Sequence, residues 1–336
     1  MAGFRAVSHG ALLLLAPFLL ALEPVPPSAV SVVSHDGTGG YTEIQQAIDD
    51  AKPGATIFIK AGDYREDVVV HSKNRLKLVG EGRDRVIIHG LKRVGAFRVG
   101  KWPYGANDIE VRDLTIVENG GLAVGIFNGS RIVLSNVRVS GLLYVQQATA
   151  VRIEYSVIMT SETTGVSFAD AEGELNGNDI RNNDYGVTIA GKSSVRLVGN
   201  LIQDNLVAGV VLQGGAKAEL LRNTIVKNDA GILVLDKSEA VLAGNVVGAN
   251  KSGIQIAPQA RVQLSFNAVR NEGADYARPG SPPEPAPDLK AETDLSLDPH
   301  FVNPAAGDYR LGADTPLVHR GAFEYLGALP PVRTSE

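Results

Sequence analysis

Between residues 110 and 272 the apolar positions recur with two periods at once. Within short segments they alternate with polar ones. In VRLVGNLIQDN, Val195, Leu197 and Ile202 are apolar while Arg196 and Gln203 are polar, the period of a strand with one buried face. Over longer distances whole segments repeat. Asn178, Asn200, Asn223, Asn245 and Asn267 are 22, 23, 22 and 22 residues apart. Ser156, Asn136 and Asp113 continue this series towards the N-terminus. A second series runs five residues behind it: Asn183, Asn205, Asn228 and Asn250. A third is Gly165, Gly186, Gly209, Gly231 and Gly253, each opening a short apolar run such as GVTI or GILV.

A unit of about 22 residues is too short for two helices with their turns, and the leucine-rich and WD signatures are missing. The repeat predicts an all-β fold: a single-stranded right-handed parallel β-helix, with about three short strands in each coil. Equivalent residues of successive coils then stack at about 4.8 Å. An inward asparagine suits such a stack, because its amide donates to one neighbour and accepts from another. The asparagine series are therefore read as structural. Arg152, Glu174, Arg196 and Glu219 precede the first series by four residues in successive coils. They predict an outward row of alternating charge, worth about 0–1 kcal/mol per exposed pair.

The ends call for other devices, since a bare coil exposes a sheet edge. Thr42 and Gln45 form a capping-box pattern ahead of Ile44, Ala47, Ile48 and Ala51 at helical spacing. This predicts an N-terminal amphipathic capping helix over 41–51, ended by Lys52-Pro53-Gly54. The strand-like segments 56–60, 67–71, 76–80 and 85–90 follow. Periodicity stops after Asn271, and the Pro-rich connector 279–287 leads into an irregular C-terminal cap expected to cover the last coil. At the other extreme, Arg5 precedes the apolar run 11–22, which fits an export signal better than a spanning helix of roughly 20 residues. The expected organisation is thus signal 1–22, spacer and N-terminal cap 23–55, β-helix 56–271, and connector with C-terminal cap 272–336.

Composition narrows the function classes. A net charge of −5 argues against nucleic acid as a partner. The chain has no cysteine and six histidines, so thiolate chemistry is excluded and little is left for an imidazole metal site. No metal, no cofactor and no membrane span after signal removal are expected, and a monomer is.

The stretch DGTGGYTEIQQAIDDAKPGATIFIKAGDYREDVVV, with the later LKLVGEG, resembles the entry region of pectinesterases and other pectin-lyase-like β-helix proteins. The N-x-I-x-x-N coils, each followed by a glycine-led strand, resemble carbohydrate-binding and sugar-hydrolase repeats, a group that includes alginate epimerases. The resemblance implies an exported protein concerned with polysaccharides. It also implies catalytic residues, and these do not carry over. Pectinesterases hold a nucleophilic aspartate in a Gly-Thr-Val-Asp-Phe segment, where this chain has TGVSF with Ser167. Their second aspartate belongs to the preceding coil, where this chain reads Gly141-Leu142-Leu143-Tyr144. A serine needs an adjacent base, and no histidine lies between His89 and His300. The epimerase Asp-Pro-His-Asp motif has only the partial counterpart Asp298-Pro299-His300-Phe301, read here as a turn.

Two candidate sets remain. Glu162 and Asp184 lie in adjacent coils, each just before a glycine-led strand, at a stacking distance that suits paired carboxylates. Tyr144 and Tyr185 are expected near the same turn, as surfaces for sugar rings. The second set is Arg98, Lys101, Trp102 and Tyr104. The sequence favours a polysaccharide-binding or scaffold protein. The alternative is a lyase, C5-epimerase or hydrolase for acidic glycans, working through Glu162 and Asp184.

Overall fold

The computed structural model describes residues 30–91, 95–101 and 103–332. The export signal expected over 1–22, and Trp102, lie outside them. The described chain winds into a parallel β-solenoid of about 11 turns with coils of about 22 residues. Each coil contributes one strand to each of three faces. In one coil these are Ser194–Val198 on sheet I, Leu201–Gln203 on sheet II and Ala208–Gln213 on sheet III. Each pairs in parallel with its equivalents in neighbouring coils, so Val195 stands over Ala218, Ile202 over Ile225 and Val210 over Ile232. The alternating apolar residues point inward, and Leu197, Ile202, Val210 and Leu212 are fully buried. Burial of each such side chain contributes roughly 1.5–3 kcal/mol.

The asparagine series form two continuous columns. Asn223 Nδ2 donates to Asn245 Oδ1 at 3.0 Å and to Leu197 O at 3.0 Å. Its own Oδ1 accepts from Asn200 Nδ2 at 2.9 Å and from Asn200 N at 3.0 Å. The second column runs Asn183, Asn205, Asn228, Asn250 and on to Asn271. Both columns end on an aspartate: Asp294 Oδ1 accepts from Asn267, and Asp275 Oδ1 accepts from Asn271. The last asparagine has only donors left to satisfy, and an ionised carboxylate is purely an acceptor. The glycine series is explained by the second column. A Cβ on Gly209 would stand 2.7 Å from Ile225 Cγ2 and 3.1 Å from Asn228 Nδ2, so a side chain there would displace the ladder.

Some sequence expectations need correction. Asn136 and Asp113 are not ladder members. They take positive φ in an exposed turn, at 50° and 61°, and bond to each other through Asn136 Nδ2 and Asp113 Oδ1 at 2.7 Å. The ladder position in those coils is one residue later, where buried Val137 and Leu114 fill it. Ser156 does belong, because its N–H donates to Asn178 Oδ1 at 3.0 Å. The stack also starts before residue 56: strand Val30–Val33 pairs in parallel with Thr56–Ile59.

The N-terminal helix spans Ile44–Asp50 and buries Ile44, Ala47 and Ile48. Its cap is not the Thr42/Gln45 box. Glu66 reaches across, its two carboxylate oxygens accepting from Ile44 N and Gln45 N at 2.9 Å each. Gln45 instead ties the helix to Val69, accepting from its N–H and donating to its carbonyl.

The C-terminal segment first covers the end of the stack, where Glu284–Pro285 pairs with Tyr276–Arg278, Leu289 packs on the core and Leu295 pairs with Ala268. It then turns back along the outside of sheet II. Leu311, Leu317 and Leu326 pack there on Val246 and Ala268, and Ala328 N donates to Thr224 Oγ1 at 2.9 Å. Among the described residues no helix is long and apolar enough to cross a membrane.

Three outcomes follow. Asn223→Leu should cost on the order of 2–4 kcal/mol by leaving buried amides on both neighbouring coils unpaired, and Gly209→Ala about 1–3 kcal/mol by overpacking; chemical denaturation measures both. Burial lifts the Glu66 carboxyl above its ordinary range. The folded state therefore holds that proton more tightly than the unfolded chain. Stability from this site is complete in acid below the ordinary glutamate value and declines as pH rises through the lifted one. Melting curves of Glu66→Gln should lack that decline.

Candidate functional site

The outer side of sheet III carries the row that matters for the chemistry implied by the sequence. In register, Arg98, Gly125, Tyr144, Ser167 and Thr188 occupy equivalent positions on successive strands. Tyr144 therefore neighbours Ser167 directly, as the pectinesterase resemblance requires of its two aspartate positions. The serine hydroxyl accepts from Thr188 Oγ1 at 3.0 Å. Among the described residues no imidazole stands beside it, so nothing in this row takes up its proton. Tyr144 leans on Phe127 instead, edge to face with ring centroids 6.0 Å apart.

Glu162 and Asp184 do stand in adjacent coils. Asp184 N donates to Ser161 O at 3.2 Å, and Ser161 N to Asn183 Oδ1 at 3.0 Å. Glu162 is exposed and Asp184 half-buried, and among the described residues neither carboxylate has a hydrogen bond or an ion pair. The tyrosines do not share a turn. Tyr185 opens its strand, paired with Thr164, whereas Tyr144 is paired with Ser167 further along. Tyr185 packs instead against an apolar patch of Ala208, Val211 and Ala230.

The sequence reading missed Glu118. It sits in the turn between sheets II and III within the strand Thr115–Phe127. Its side chain is 5% exposed, and among the described residues its Oε2 has no partner. Glycines make room for it. A Cβ on Gly121 would stand 3.2 Å from Glu118 Cγ, and one on Gly120 would stand 3.2 Å from Glu162 Oε2. Gly120 and Gly121 are thus flanked by two carboxylates, one buried and one exposed. The signal was present as an acid followed by Asn-Gly-Gly inside an apolar run, but the turn was not in phase with the ladders.

The remaining sets are plainer. Lys101 and Tyr104 close a tight antiparallel turn, with Lys101 N donating to Tyr104 O at 2.6 Å. His300 bonds through Nδ1 to Asp314 Oδ2 at 3.1 Å and through N to Asp298 Oδ1 at 2.8 Å, which makes the Asp-Pro-His-Phe segment a surface turn. Among the described residues no group of three His, Asp or Glu side chains is placed to hold a metal.

Sheet I presents a different surface, a shallow groove of about 1700 Å³ that runs along the coils from Gly54 to Gln263. Arg152, Glu174, Arg196 and Glu219 stand in register in it, as their spacing predicts. Arg196 pairs with Glu219 at 3.4 Å, whereas Arg152 turns along its own strand to Glu154 at 3.8 Å. A second row lies beside the first, two residues earlier on each strand. In its early part Arg75, Asp108, Arg131 and Ala150 all take positive φ, between 51° and 57°.

Comparison with known proteins agrees with this architecture. The family model described as "Right handed beta helix region" matches residues 95–202 and 140–277, together more than half of the chain. A pectinesterase model matches residues 30–126. Pectinesterase 2 of Citrus sinensis is 34% identical over 116 residues, 31% of this chain and 22% of that protein. Pectinesterase 5 of Arabidopsis thaliana is 32% identical over 160 residues, 42% of this chain and 26% of that protein. The chain thus spans about a quarter of the length of these relatives. Among solved structures, the A-module of the mannuronan C-5 epimerase AlgE4 from Azotobacter vinelandii aligns with a TM-score of 0.53 at 18% identity, covering 73% of this chain and 78% of that one. Pectate lyase Pel9A aligns with a TM-score of 0.52 at 12% identity, covering 91% and 97%. At these identities the structural likeness is one of fold. Matched over more than half its length and wound as a stacked solenoid, the chain belongs to the right-handed β-helix family, in its pectin-lyase-like form.

Proposed function

We propose that this protein is an exported β-helix that binds a polysaccharide and does not hydrolyse pectin methyl esters. The observation that carries the second half is the sheet III row. Ser167 stands where a carboxylate nucleophile would be needed, with Thr188 and Tyr144 as its neighbours and no general base in contact. A hydroxyl without a base is a poor nucleophile at neutral pH. The first half is supported by the fold family, whose matched relatives carry the names of carbohydrate-acting enzymes. It is supported too by open faces on which one residue per coil is repeated at about 4.8 Å, a spacing suited to a polymer.

A second reading has one observation in its favour. Among the described residues Glu118 keeps a buried carboxylate oxygen without a partner, next to the Gly120–Gly121 turn that Glu162 also touches. Unsatisfied buried carboxylates are costly and concentrate at functional sites. This reading makes the turn a catalytic centre for glycan cleavage or epimerisation.

The two readings part in one set of assays. Highly esterified pectin should release no methanol, and acidic polysaccharides should yield neither reducing ends nor unsaturated products, while affinity electrophoresis detects retardation by at least one polysaccharide. Turnover that disappears in both Glu118→Gln and Glu162→Gln would establish the second reading in place of the first. In the binding reading Glu162→Gln changes stability by less than about 0.5 kcal/mol, as at other exposed sites, and leaves retardation unchanged.

A further inference from the structure

We infer that the glycan site is the groove on sheet I, and that its ligand is a neutral, hydroxyl-rich linear polysaccharide laid along the solenoid. The inference rests on the binding reading above and adds the face and the chemical class. It concerns a face other than the one that carries Ser167 and the carboxylates near Gly120.

The first argument is access. Sheet II is covered from Thr224 to Ala268 by the returning C-terminal segment, and outward Thr224, Val246 and Ala268 are buried. On sheet III the outward row becomes buried at Val211, Gln255 and Ala277. Sheet I stays open over its whole length. Arg75, Arg131, Arg152, Arg196, Glu219 and Arg261 are all exposed, and the groove passes over them without interruption. Coils rise by about 4.8 Å each, close to the length of one pyranose unit in an extended chain. A linear glycan parallel to the solenoid axis would therefore meet one coil per sugar.

The second argument is charge. The groove is lined by seven basic and six acidic side chains, most of them paired between coils. Lys77 meets Glu110 at 3.1 Å, Lys217 meets Glu239 at 2.9 Å, and Arg261 meets the same Glu239 at 3.6 Å. Arg131 Nη2 donates to Asp108 Oδ2 at 2.9 Å. A polyanion would have to part these pairs and then face the carboxylates, so the near balance of charge opposes it. A sugar hydroxyl has the opposite relation to such a surface. It donates to a carboxylate and accepts from a guanidinium or ammonium beside it, and each bond is strengthened by the charge. Val133 and Val241 stand in the same outward row as Arg196, giving apolar steps for the C–H faces of the rings.

The test uses the full chain and soluble probes: β-glucan, mannan and dextran as neutral polymers, polygalacturonate and alginate as acidic ones. Removing a whole ion pair leaves no stranded charge, so Arg196→Ala/Glu219→Ala should melt like the parent. Tyr144→Ala on sheet III serves as the comparison. The expected result is binding to a neutral polymer that changes by less than about twofold between about 0.05 and 0.5 M salt. It should be weakened about tenfold or more in the double variant and unchanged in Tyr144→Ala. Salt-sensitive binding to the acidic polymers alone, or binding lost only in Tyr144→Ala, would overturn the inference while leaving polysaccharide binding in place. Binding to none of the five polymers by the parent protein would overturn both. Should the double variant melt early, Arg196→Lys/Glu219→Asp, which keeps both charges but shortens the acid and loses the guanidinium fork, replaces it with the same expected loss.

Discussion

A buried side-chain amide that must be satisfied by the next coil governs this structure. Each ladder asparagine lies within the cylinder, where an unpaired amide would cost roughly 1–3 kcal/mol. Asn200, Asn223 and Asn245 avoid that cost by bonding to one another and to backbone carbonyls. The arrangement works only if coils stack in register. The residues beside the amides must also be small, which the glycine column supplies. Finally each column must end on an acceptor, and Asp294 and Asp275 end the two columns. Tyr276 then donates its hydroxyl to the free oxygen of Asp294 at 2.7 Å, so the terminal carboxylate is itself held in the core.

With the interior committed to this repeat, the variable chemistry is displaced to the outward positions and the turns. The three faces diverge accordingly. Sheet II takes the returning C-terminal segment, whose leucines pack on the apolar outward residues Val246 and Ala268. Sheet III has a polar half around Ser167 and an apolar half around Tyr185. Sheet I keeps its charges facing solvent, most of them neutralised by a neighbour one coil away. Ion pairs of this kind contribute little to stability when exposed. Their consequence is for recognition, because a surface of closely alternating donors and acceptors discriminates by hydrogen bonding rather than by net charge. The Glu118 turn is the exception to the general economy of the fold, a buried acid held by glycines where the coil departs from its usual length.

The ladders, the parallel stacking, the glycine column and the alternating row through Arg196 and Glu219 were legible in the amino-acid sequence. Each results from a contact between residues a fixed distance apart in the chain, so a repeated contact leaves a repeated letter. What the sequence did not determine were contacts that occur once. Asn136 and Asp113 had the right residue types one place out of phase, and only the backbone shows that Val137 and Leu114 fill the interior there. The helix cap came from Glu66, in the bend between strands Gly62–Arg65 and Val68–Val70, rather than from the local Thr42/Gln45 pattern. The C-terminal segment covers the end of the solenoid as far as Leu295 and then runs back along its side, a course that no repeat records. Tyr144 and Tyr185 were separated because side chains share a row by register and not by nearness to a glycine. Periodic contacts are set by the local chain and written at every turn. Singular contacts are set by which surfaces the finished stack leaves exposed, and those exist only once the coils have closed.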